Sequence, residues 1–124
     1  MQWYYEIDRL VAVIKPKEPF LTWVNQVTAD EFNLTLEQLR TDCTSLLIPA
    51  FPEPEMAMGY LGEKAADIFA LELGAWEPDE TRWPSERHVA NFWAWFDVEF
   101  HSTVIDMADP NPPEAEPTDS TEPA

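Results

Sequence analysis

The sequence predicts an α+β domain with two layers, in which a small three-stranded sheet packs against four or five helices. Three observations carry this. Short apolar runs rich in β-branched residues occur at Leu10–Ile14, Leu46–Ile48 and Thr103–Met107, segments with helical spacing lie between them, and prolines stand where the runs end. No period of 20 to 50 residues repeats, which sets aside a solenoid.

The first strand is expected over Tyr4–Ile14, apolar on both faces at Leu10-Val11-Ala12-Val13-Ile14, with Pro16 stopping it. If helices cover only one face of the sheet, a homodimer or a further helix must cover the other. Pro19 is tolerated in a first helical turn, and Phe20, Trp23, Val24 and Val27 follow at i, i+3, i+4 and i+7, predicting a short amphipathic helix. Two capping boxes come next. Thr28 with Glu31, and Thr35 with Gln38, have Val27/Phe32 and Leu34/Leu39 placed as hydrophobic staples, so two short helical turns are predicted.

Cys43–Ile48 is the second strand, terminated by Pro49 and Pro52. Pro54 opens the longest helix, Glu55 to Trp76, with Met58, Leu61, Ala65, Ile68, Phe69 and Leu73 on one broad face and with Gly59 and Gly62 weakening its first turns. Glu53 and Glu55 suit its positive N-terminal end. Residues 77–84 read as a loop. From Ser85, taken as an N-cap, Val89, Phe92, Trp93, Phe96 and Phe100 predict a helix to His101, with a strand from Asp97 as the rival reading. Thr103–Met107 is the third strand.

Composition divides the chain. Residues 1–107 form the single domain, and 108–124, with five acids, five prolines and no basic residue, read as a disordered acidic tail. The whole chain has 24 acids against 7 Lys plus Arg, a net charge of −17, and the body without the tail is still at −12. Such a charge repels nucleic acid and anionic membrane surfaces, so a steered partner should be basic. Cys43 is the only cysteine, and the longest uninterrupted apolar run is five residues. A cytoplasmic protein with no disulfide and no membrane span is therefore expected.

Chemical motifs are sparse. With glycines only at 59, 62 and 74, no phosphate-binding Gly-rich loop can be assembled, and no cofactor is implied. Cys43 with His88 or His101 would make a nucleophile pair, but a lone cysteine beside an apolar strand reads as a small buried hydrophobe. Asp97 and His101, four apart on the predicted helix, could share a divalent ion. Two ligands do not make a site, and the simpler expectation is a hydrogen bond between them near a helix C-terminus.

Glu63 and Asp67 are four apart and repel, and Asp30-Glu31, Glu53-Glu55 and Glu77-Asp79-Glu80 are further acidic clusters. Of the six tryptophans, Trp23 and Trp93 fall on apolar helix faces and read as core. Trp76, Trp83 and Trp95 lie within twenty residues of one another, around the acidic loop. An aromatic patch of Trp76, Trp83 and Trp95 rimmed by Glu77, Asp79 and Glu80 would suit a partner carrying Arg or Lys.

The string Tyr5-Glu6-Ile7-Asp8-Arg9-Leu10, with Val13-Ile14-Lys15-Pro16-Lys17, Pro19-Phe20 and Trp23-Val24-Asn25, and the later stretch from Trp95 to Ser102 with Val104-Ile105-Asp106, resemble a family of short bacterial proteins of unknown function. The resemblance covers most of the body and none of the tail. It implies a bacterial source and no activity. The leading expectation is a non-enzymatic protein-interaction module; the alternatives are a nucleic-acid mimic that blocks a DNA- or RNA-binding protein, and a metal-dependent enzyme using Asp97 and His101.

Overall fold

The computed structural model describes residues 5–108. The proposed tail therefore lies outside the described residues, apart from its first position. The fold is α+β, with a three-stranded antiparallel sheet and five helices.

The described residues begin with β1 (Tyr5–Glu6) and bend at Asp8 into β2 (Arg9–Pro16), the central strand. The single strand expected over Tyr4–Ile14 is thus two. After the bend, β2 pairs on both sides, giving the order β3-β2-β4, while β1 pairs with β5 in a separate two-stranded ribbon. Pro16 is the last residue of β2, where its missing N–H costs no ladder bond.

Helix α1 (Glu18–Val27) carries Pro19 in its first turn and buries Phe20, Trp23 and Val24. It does not hand over to a second helix at Thr28. The Thr28 hydroxyl bonds back to the Val24 carbonyl at 2.8 Å, and Ala29, Asp30 and Asn33 take positive φ values of 53°, 57° and 48°. The first capping box therefore does not form: Thr28 closes α1, and the chain reverses through left-handed backbone, a conformation Asn and Asp tolerate. Asn25 clamps this reversal, its amide donating to the Leu34 carbonyl and its Oδ1 accepting from the Leu34 N–H, both at 3.1 Å.

The second box forms as expected. Thr35 Oγ1 accepts from the Gln38 N–H at 3.2 Å and Gln38 Oε1 from the Thr35 N–H at 2.9 Å, opening the single turn α2 (Leu36–Leu39). Next is β3 (Thr44–Pro49).

The long helix is broken in two, α3 (Pro54–Glu63) and α4 (Ala65–Trp76), at Lys64. The Lys64 N–H reaches the Leu61 carbonyl, tightening the turn two residues after Gly62. The glycine weakness thus acts at the end of α3 as a break between helices. A 3₁₀ turn at Glu80–Arg82 interrupts the loop 77–84.

The largest difference lies at 85–101. Helix α5 spans only Val89–Trp95, its N-cap is His88 and not Ser85, and Phe96–His101 is β4, the third strand of the sheet. A spacing of four, as in Phe92, Phe96 and Phe100, fits both a helix and a period of two, so it does not discriminate. The alternation Phe96, Val98, Phe100 against Asp97, Glu99, His101 does. The segment expected as third strand, 103–107, supplies only β5 (Ile105–Asp106) in the ribbon.

The core lies between the helices and one sheet face, formed by Ala12, Ile14, Ile48 and Phe96 below Phe20, Leu61, Phe69, Leu73 and Phe92. Phe96 is its hub, with ring centroids 5.0 Å from Phe20, 5.3 Å from Phe92 and 5.5 Å from Phe69. The opposite sheet face is solvated: Val11 and Val13 are half-buried, Leu47 is 61% exposed, and Lys15 and Glu99 form an ion pair at 3.1 Å.

Candidate functional site: a tryptophan-walled groove

Helix α1 presents Pro19, Thr22, Trp23 and Gln26 as one stripe at i, i+3, i+4 and i+7. Across from it stand Arg82, the last residue of the 3₁₀ turn, and Trp83 and Pro84 just after it, and Trp95 closes the wall as the last residue of α5. These eight residues enclose an open groove of about 470 Å³, the size range of binding clefts.

Each ring is fixed from behind. Trp23 is 6% exposed, and its indole N–H donates to the Arg82 carbonyl at 3.1 Å, tying α1 to the loop. The Trp83 indole donates to the Glu77 carbonyl at 2.6 Å and its ring edge lies against Gly74 of α4, where a side-chain Cβ would stand 3.6 Å from it. Trp95 packs on Phe69 at 5.3 Å and edge-on to Phe20 at 6.2 Å, while its carbonyl accepts the Lys17 N–H at 2.9 Å. Rings held this way need no ordering when a ligand arrives.

The acidic loop builds the groove more than it rims it. Glu77, its side chain only 13% exposed, accepts from Arg82 at 2.6 Å and from the Asp79 N–H at 3.0 Å. Asp79 accepts from the Thr81 N–H and hydroxyl, at 3.0 and 2.7 Å, which start the 3₁₀ turn and hold its carboxyl below the usual carboxylate range. Glu80 is exposed and enters no ion pair among the described residues. Arg87 lies over the Trp83 ring at 5.5 Å.

Of the six residues the sequence singles out, Trp83 and Trp95 line the groove, and Glu77, Asp79 and Glu80 belong to the loop that shapes it. Trp76 is elsewhere, edge-on to Phe32 at 6.4 Å. Trp23, read as core, is both core and groove floor. Its stripe with Pro19, Thr22 and Gln26 is the signal that was present in the sequence, being a second α1 face beside the apolar one.

The pairing of Asp97 with His101 is corrected. Both lie on β4, where four residues span about 13 Å, and Glu99 stands between them. His101 Nε2 is 2.7 Å from Glu99, and Asp97 instead meets Lys17 and Arg40, each at 3.7 Å. Lys15 and His101 together hold the Glu99 carboxyl below its ordinary range. Among the described residues no three His, Cys, Asp or Glu side chains converge to hold a metal ion. Cys43 is half-buried, its Sγ 3.5 Å from the Arg40 carbonyl, and burial pushes its thiol up, the opposite of an activated nucleophile.

One titratable group is out of place energetically. Glu72 of α4 has Oε2 wholly buried with no partner, and burial raises its carboxyl above 4.5, with the Thr44 hydroxyl pulling the other way. No described helix is long and apolar enough to cross a membrane. No protein-family profile, curated protein or solved structure matches the chain.

Proposed function

We propose that this chain is a non-enzymatic protein-interaction module that captures a segment of a protein partner in the groove between α1, the 82–84 loop and Trp95. The observation that carries the reading is the convergence of three tryptophans from three separate stretches of chain on one open groove. Tryptophan anchors of this kind dominate binding energy where they are rigid and partly buried. The net charge of −17 directs the same surface toward basic partners. A reducing compartment such as the cytoplasm suits a chain whose lone cysteine has no disulfide partner within it.

The test fills the groove without disturbing the core. Thr22 and Gln26 are exposed on α1, so the double variant Thr22→Arg/Gln26→Arg keeps helix propensity and obstructs the site. A partner captured from cell lysate by the full chain should bind the variant at least tenfold more weakly, with unchanged circular dichroism. Undiminished capture by a folded variant places the interface elsewhere.

A further inference from the structure

We propose that the groove takes a basic, proline-containing segment in the polyproline II conformation; this rests on the interaction-module reading and names its ligand. The argument begins with what the groove offers a backbone. None of its eight residues lies on a strand, so it has no ladder edge to which a β-strand could add. Four belong to α1, whose amides and carbonyls serve the helix, and the Arg82 carbonyl is taken by the Trp23 indole.

The groove is consequently short of backbone acceptors for a ligand's N–H groups. It is rich in side-chain donors: the Thr22 hydroxyl, the Gln26 amide, the Arg82 guanidinium and the Trp95 indole, which has no acceptor among the described residues. A proline-rich backbone is the complement of such a site, since it lacks N–H groups and displays carbonyls along a preformed extended helix of three residues per turn. Trp83, Trp95, Pro19 and Pro84 all line the groove, the kind of lining by which aromatic grooves read prolines.

Charge sets the second requirement. Arg82 is neutralised by Glu77, and Glu18 and Glu80, both exposed and in no ion pair among the described residues, lie within two positions of Pro19 and Arg82 in the chain. On a chain of net charge −17, a ligand arginine or lysine beside the prolines is favoured over an acidic one. The chain's own Asp109-Pro110-Asn111-Pro112-Pro113-Glu114-Ala115-Glu116-Pro117 has the prolines with the opposite charge, so charge excludes it as occupant.

This contrast supplies the experiment. The full chain, labelled with ¹⁵N, is titrated with three synthetic nonapeptides: the 109–117 sequence itself, the same sequence with Asp and Glu replaced by Arg, and the latter with every Pro replaced by Ala. Indole N–H signals are assigned by Trp83→Phe and Trp95→Phe. The basic proline peptide should shift the Trp83 and Trp95 signals saturably, at least tenfold more tightly than either of the others, and Thr22→Arg/Gln26→Arg should abolish the effect. Equal binding of the basic alanine peptide reduces the site to charge and overturns the proposal, as does equal binding of the acidic peptide. If no peptide binds while groove-dependent partner capture persists, this ligand assignment falls and the interaction-module reading stands; if capture does not depend on the groove, both fall.

Discussion

Replacing Glu72 with glutamine should stabilise this protein, although it removes a charge from a helix and adds no contact. Glu72 Oε2 is buried without a partner, and burial raises the carboxyl above its ordinary range, so folding disfavours the ionised form relative to the unfolded chain. The sign follows. The penalty is absent below 4.5, grows as pH rises through the folded-state pKa, and is complete above it. An orphaned buried acceptor costs about 1–3 kcal/mol, more when charged, and the partial exposure of the residue trims this toward about 1–2 kcal/mol. Glu72→Gln keeps the shape and helix propensity and loses the charge; its amide is still a buried polar group, so it should recover only the charge-dependent part, about 1 kcal/mol at pH 8. For a domain of this size that is roughly 4–8 °C in Tm. The assay is urea unfolding of both proteins at pH 8.0 and pH 5.0, above the sequence pI of about 4.1, where aggregation would interfere. The gap between variant and wild type should narrow at pH 5.0 with unchanged m-values. A variant no more stable at pH 8.0, or a gap equal at the two pH values, refutes the reasoning.

Two further expectations follow from the geometry. Asn25→Ala removes both bonds clamping Leu34 and should cost roughly 1–3 kcal/mol in the same urea assay, whereas an unchanged midpoint would show that the 28–34 reversal holds itself. The Cys43 thiol, raised by burial, should be alkylated by iodoacetamide more slowly at pH 8 than a free thiol, with the rate still climbing above pH 9; a plateau by pH 8 would contradict the assignment.

Local chemistry was legible in the sequence wherever one signal decided the structure. Thr35 and Gln38 name their own cap, and prolines 16, 19, 49 and 54 each sit at the end of an element. The same box pattern at Thr28 and Glu31 failed because the preceding helix needed a C-terminus there, and a hydroxyl can serve either neighbour. Phe92, Phe96 and Phe100 share a spacing common to both periodicities, so only pairing with β2 selects the strand. The groove was half visible for a related reason. Trp83 and Trp95 stood out by composition, but their meeting with Trp23, 60 residues before Trp83, is a tertiary fact. Glu77 looked like surface charge, and only its partners Arg82 and Asp79 reveal it as a strut.

Trp95 and Phe96 are successive residues, one ending α5 and the next beginning β4, with no loop between. The groove wall and the sheet edge consequently have no slack between them. Phe96 is anchored to Pro16 of β2 and to the aromatic core, so the backbone of Trp95 cannot shift to admit a ligand without moving β4. A load on the groove is passed to the β-ladder, and the amides of β4 would register it as a change in hydrogen-exchange rate far from the bound segment.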